Sequence, residues 1–295
     1  ARAAAAAALE VRVAGLGGDV CTLAADRGWT VQQVKSKVAA ASRTPVDQQR
    51  LFIGACELED REVLGDVTPP ASPVAELCLL RTDPEWQQCM EMVSRAGMQL
   101  AVAPPLLRAD RDVALAAVRQ NGRALEYAAE ELRADRSVVL AAVEDSGEAL
   151  QHAAAELRAD REVVLAAVRQ SGGALQHAAE ALGADLEVVL AATANAPQAF
   201  QFAAEELRAE RSAVLAVVRE AGLALQFAAK ALRADRDVVV AAVQQDGLAL
   251  EYASEELRAD REVVREAVQV NGLALWDAAE DLKRDPGLLA VARWG

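Results

Sequence analysis

At 295 residues and a formal charge of −14, the chain is long enough for about two domains and strongly acidic. The charge is uneven: residues 1–82 carry 9 basic and 10 acidic side chains, a net of −1, whereas 83–295 carry 22 and 35, a net of −13. Clustered Lys and Arg are needed to neutralise phosphates, so this balance argues against nucleic acid and suits a basic protein partner or simple solubility.

Hydrophobic residues make up 53% and aromatics only 3%, so alanine, valine and leucine carry the burial and favour close-packed short helices. No stretch approaches the ~20 apolar residues of a transmembrane segment. Cys21, Cys56, Cys78 and Cys89 show no metal-ligand spacing. Scattered thiols read as reduced and intracellular, either cytoplasmic or in an organelle after loss of a targeting segment. The run Ala3–Ala8 fits a processed start or an alanine-rich disordered tail.

From Leu9 the pattern alternates: Leu9, Val11 and Val13 share one strand face, with Glu10 and Arg12 on the other. Gly15-Leu16-Gly17-Gly18 supplies a turn and Val20–Leu23 a returning strand. Thr30 is placed to cap a helix whose Val31, Val34 and Val38 fall at i, i+3 and i+7. After a Pro45 turn come a short strand at Arg50–Ile53 and a closing strand at Leu77–Leu80.

Pro45-Val46-Asp47-Gln48-Gln49-Arg50-Leu51, followed by Leu58-Glu59-Asp60 and preceded by Val34-Lys35-Ser36-Lys37-Val38, resembles ubiquitin over residues 9–81. The resemblance implies a β-grasp, a mixed sheet wrapped over one helix. It also implies a recognition patch at Leu16, Phe52 and Leu79, with Arg50 beside it. Leu80-Arg81 runs on into Thr82-Asp83-Pro84 instead of ending in a free Gly-Gly, so conjugation through that end is not expected. The patch either binds a partner, or its residues lie against the repeats or are merely scattered over the surface.

From residue 83 a repeat takes over. A leucine recurs at 107, 132, 157, 182, 207, 232, 257 and 282, a period of 25. Asp135 is a good N-cap for a helix to about Asp145, and Gly147 would end that helix in the left-handed conformation. A second helix is expected through Leu150 to Leu157. The expected fold is therefore α+β: a β-grasp at 9–82, then an all-α solenoid of two-helix repeats at 83–295. It would comprise a diverged first copy (83–107), seven full copies (108–282) and a half copy (283–295). That half copy is apolar at Leu288-Leu289-Ala290-Val291, where a solenoid end should be polar. The pattern Leu-Arg-x-Asp, then Val-Val, Ala-Val and Asn/Asp-Gly-x-Ala-Leu, nearly complete in 257–275, resembles a helical repeat family known only as a domain of unknown function.

Three columns invite a functional reading. Arginines at 108, 133, 158, 208, 233 and 258, and three places further on, alternate with acids; they suit an inter-repeat ion-pair ladder or anion binding. Tyr127, His152, His177, Phe202, Phe227 and Tyr252 suit stacking between repeats, and the two histidines lack a third metal ligand. In copy 183–207, Gly183 and Leu186 replace arginines and Pro197 replaces glycine, which marks either a bend or a tuned contact surface.

No nucleophile with a base, paired buried carboxylates or phosphate loop is present, so neither an enzyme nor a cofactor is expected. The expected function is a protein-binding scaffold or accessory subunit. An adaptor to ubiquitin receptors or the proteasome is the alternative, and a space-filling subunit a third. The sequence also predicts that copy 183–207 is the loosest interior repeat. Hydrogen exchange should be faster across 183–198 than across 133–146 or 233–246, and uniform protection would contradict this.

Overall fold

The computed structural model describes residues 8–15, 18–69 and 72–292; the tail at 1–7, Leu16 of the hairpin turn and the end at 293–295 lie outside the described residues. Two compact units are present, one reaching to Leu132 and the other beginning at Arg133.

The first unit opens with strands β1 (Ala8–Gly15) and β2 (Gly18–Asp26), then helix α1 (Val31–Ser42). Strands β3 (Gln49–Ile53), β4 (Cys56–Glu57) and β5 (Val74–Arg81) complete a sheet in the order β2-β1-β5-β3-β4. β1 and β5 pair in parallel and the other neighbours antiparallel. Thr30 and Gln33 form a reciprocal capping box: the Thr30 hydroxyl accepts from Gln33 N at 3.4 Å, and Gln33 Oε1 accepts from Thr30 N at 2.9 Å. Burying Val31, Val34 and Val38 of α1 against Leu9, Val11, Val13, Leu51, Leu77 and Leu79 of the sheet makes one core. This is the expected β-grasp.

Helices α2 (Pro84–Arg95) and α3 (Arg111–Gln120) of the first two repeat copies complete this unit. The second unit continues with α4 (Arg136–Asp145), α5 (Arg161–Gln170), α6 (Leu186–Asn195) and α7 (Arg211–Glu220). It ends with α8 (Arg236–Gln245), α9 (Arg261–Val270) and α10 (Pro286–Ala292). In α4, Val138, Val139, Ala142 and Val143 are wholly buried, as a 100° projection predicts. Asp135 caps it, accepting from Ser137 N at 2.9 Å and Val138 N at 3.2 Å. Asp160, Asp185, Asp235 and Asp260 cap their helices in the same way.

Two sequence expectations need correction. The second arm is not one helix: Gly147–His152 forms a 3₁₀ turn, and only Ala155–Arg158 is a single α turn. Apolar spacing at i and i+3 suits both helix types, so Leu150 and Ala153 could not distinguish them. Nor does the repeat glycine adopt a left-handed conformation. Among the described residues positive φ is confined to Arg43, Gly18 and Gly54, and α4 closes at Ser146 with extended backbone (φ −142°). The glycine is needed for proximity instead. A Cβ on Gly147 would lie 2.4 Å from the carbonyl oxygen of Ala167 in the next copy, and one on Gly172 would lie 2.2 Å from that of Ala192. Gly222 and Gly247 face Ala242 and Ala267 equally closely.

Gly147→Ala should therefore destabilise the chain by about 1–3 kcal/mol, the usual cost of overpacking. Gly173→Ala, whose new methyl would meet side-chain oxygens of Glu148 and Ser171 at 3.1 and 3.8 Å and no backbone, should move the urea midpoint much less. Equal midpoints for both variants would refute the close-approach role.

Candidate interaction surface

Side chains alternate across a strand, so the sheet has a core face and an outer face. On β5, Leu77 and Leu79 point inward, whereas Glu76, Cys78 and Leu80 point outward. Leu79 is 3% exposed and pairs with Leu51 inside the core. Its expected place in a surface patch is therefore wrong: the patch residue on this strand is Leu80, opposite Arg50. The alternation from Leu77 onward carried that information. Phe52 is half-buried on the outer face, across from Cys78 on one side and Glu57 on the other. The Arg50 guanidinium stands 5.7 Å from the Phe52 ring and is ion-paired with Glu57. Arg50, Phe52, Cys78 and Leu80 thus form one apolar strip with a charged edge. Leu16, the remaining expected member, lies outside the described residues.

The opposite parity of β5 leads to a different contact. Arg81, buried at 9% exposure, ion-pairs with Asp110 and lies 3.8 Å from Asp112. Its guanidinium sits 5.6 Å from the Trp86 ring. Asp110 divides its oxygens: Oδ1 caps α3 by accepting from Asp112 N and Val113 N, and Oδ2 takes Arg81. The β1–β2 hairpin closes on the same place, since a Cβ on Gly15 would lie 2.9 Å from Asp112 Oδ2. Within this unit the β-grasp domain is tied to the first repeats.

The second unit repeats that division of oxygens. Asp160 caps α5 with Oδ1 and accepts Arg136 on Oδ2 at 3.0 Å; Asp185 does the same with Arg161 at 2.7 Å. Arg211 to Asp235 (2.7 Å) and Arg261 to Asp285 (2.9 Å) continue the ladder. Of the two arginine columns the second builds it here, through Arg136, Arg161, Arg211, Arg236 and Arg261. Within the first column, Arg133, Arg158, Arg233 and Arg258 each bury an Nε with no acceptor, and Arg208 Nε donates to Ala203 O at 3.2 Å.

Gln170 adds a clamp, accepting from Gly147 N through Oε1 at 2.5 Å and donating to Asp145 O through Nε2 at 3.1 Å. His177 Nε2 lies 3.0 Å from Glu148 Oε2 of the preceding copy. In the irregular copy Gly183 is buried and Leu186 and Pro197 are half-buried, so Gly183 does not belong to a surface. Asp185 still caps α6, and the helix itself keeps its local ties.

Comparison with protein families agrees with this geometry. Residues 9–68 match the model of the ubiquitin family, and residues 87–133, 135–182 and 235–283 match a domain of unknown function, DUF4116. The chain carries a ubiquitin-family domain followed by DUF4116 repeats. The matched DUF4116 segments leave out 183–234, the stretch that includes Gly183, Leu186 and Pro197. Among the described residues no helix is long and apolar enough to cross a membrane.

The ladder makes stability depend on pH. The hydrogen bond from Arg261 and those from Leu288 N and Gly287 N hold Asp285 down to about 2. The Arg161 and Arg211 hydrogen bonds likewise lower Asp185 and Asp235, against desolvation that pushes the other way. A carboxylate whose folded pKa is depressed stabilises fully above its unfolded value and loses that contribution as pH falls through the folded one. The urea midpoint should thus hold above pH ~4 and drop towards pH ~2. Arg211→Met should flatten part of that drop; an identical acid profile would show that the rungs are not its source.

Proposed function

We propose that the protein is a non-enzymatic interaction scaffold, with the outer sheet face of the β-grasp domain as one recognition surface and the acidic repeat array as another. The observation that carries this reading is the arrangement of the two faces of β5. Arg81 and Leu79 fix the domain from within, while Arg50, Phe52, Cys78 and Leu80 stay at the surface. An aromatic ring set among aliphatic and guanidinium groups is the usual make-up of an interface centre. The repeats supply length and negative charge, which suits a long contact surface.

The alternative reading, an adaptor read by ubiquitin receptors, uses the same strip and can be separated by experiment. A ubiquitin-binding helical peptide is titrated into the full chain. Under the adaptor reading it binds, and Phe52→Ala weakens it by about 2 kcal/mol, roughly 30-fold, with the thermal midpoint unchanged. Under the scaffold reading the peptide does not bind, while cross-linking in cell extract recovers a defined partner on the strip or the array. If the peptide fails and no defined partner is recovered at either surface, both readings fall.

A further inference from the structure

Along the second unit, successive repeat copies are held together by three directional ties. A ladder arginine reaches the next copy's cap aspartate, as Arg161 reaches Asp185 and Arg211 reaches Asp235. A glycine allows close approach to the next helix, as Gly172 does to Ala192 and Gly222 to Ala242. Often a side-chain amide closes the contact: Gln170 to Gly147, Asn195 to Arg169 O at 2.8 Å, Gln245 to Gly222 at 2.6 Å. Between copies 183–207 and 208–232 all three are missing.

Leu186 occupies the ladder position and can make no ion pair, so among the described residues the Glu210 carboxylate accepts only from Ser212 Oγ, at 2.5 Å. Glu210, where other copies have aspartate, makes no side-chain cap on α7. Pro197 has no N–H to donate and carries a Cβ where glycine is needed. Across from it, Val217 and Glu220 stand where Ala167 and Gln170 stand in the regular pair. A carboxylate in place of the amide cannot donate to the preceding carbonyl. Among the described residues, the one side-chain hydrogen bond joining these copies is Arg208 Nε to Ala203 O, five residues apart in sequence.

What remains is apolar. Phe200, Val214, Val217 and Val218 are buried, and the 3₁₀ stretches of the two copies pack as they do elsewhere. Helices α6 and α7 are less closely apposed than the other neighbouring helices of this unit. Apolar contact is non-directional and tolerates small rotations that an arginine rung would resist.

We infer that the junction between copies 183–207 and 208–232 is a built-in hinge. The array flexes there by opening α6 from α7 about the 3₁₀ side, and the blocks before and after it move as stiff bodies. The substitutions form a matched set: the residues that would complete each tie have changed on both sides of one junction, so a single point of freedom results. Such a joint lets the array adjust its curvature to the contour of a bound protein.

The test uses the full chain with its four native cysteines replaced and spin labels on exposed sites two copies apart. The pair R169C/R219C spans the junction, and R219C/Q269C spans two regular junctions. Double electron–electron resonance should give a distance distribution about twofold broader for the first pair, as a low-stability element opens locally. Leu186→Arg, alone or with Pro197→Gly and Glu220→Gln, should narrow it to the width of the second pair. Arg236→Leu should broaden the second pair. Equal widths in the parent chain, or a first-pair width that Leu186→Arg leaves unchanged, would overturn the hinge.

Discussion

The structure depends on how closely one copy's 3₁₀ turn approaches the next copy's helix. Where a Cβ would fall 2.2–2.5 Å from a backbone carbonyl, as at Gly97, Gly147, Gly172, Gly222, Gly247 and Gly272, only glycine fits. Much else follows from that approach. The carbonyls facing these glycines belong to alanines at 117, 167, 192, 242, 267 and 292, so both surfaces are small. Alanine and valine can then fill the core, because there is little space between helices for larger side chains. A six-residue 3₁₀ arm is narrower than an α-helix and suits the restricted gap. The low aromatic content of the chain is a consequence of this spacing.

The same logic shows what the β-grasp domain does for the repeats. In the ladder, an arginine at the start of one helix reaches the cap aspartate of the next. The corresponding position before Asp110 is Trp86, which cannot form an ion pair. Arg81 fills that role from the end of β5, placing its guanidinium on Asp110 and against the Trp86 ring. The domain thus supplies the first rung with the chemistry the repeats use among themselves, though from a strand. Arg81 is buried and Asp110 largely so, so breaking this rung costs more than loss of an exposed pair.

Local features were legible in the sequence and long-range ones were not. The Thr30 capping box, the Asp135 cap and the buried arc of α4 rest on residues within five places of each other, and pattern alone places them. The repeat glycine was misread because its constraint comes from a carbonyl 20 residues further along. A glycine closely following a helix is ordinarily a terminator, and nothing nearby shows otherwise. The error at Leu79 is of another kind. Strand parity from Leu77 places it in the core, whereas the family resemblance places it at the surface, and the parity holds. Arg81 was not singled out, since a single arginine at a domain junction has no pattern until its aspartate is seen beside it.

The acidic excess of the repeats looks different once its carboxylates are sorted. The cap aspartates are committed: each accepts two backbone N–H groups with one oxygen, and those opposite a ladder arginine engage it with the other. They stabilise the array and offer little to a partner. The unspent charge lies on the one-turn helices, where Glu205 and Glu206, or Glu255 and Glu256, are exposed side by side. Similar glutamates recur at Glu130, Glu131, Glu156 and Glu180. The outward field of the repeats comes from these groups, because long-range attraction follows the uncompensated charge and not the total. The net charge of the chain thus understates how strongly its charge asymmetry is concentrated. One set of acids builds the repeat, and a second set, at a different register, faces outward.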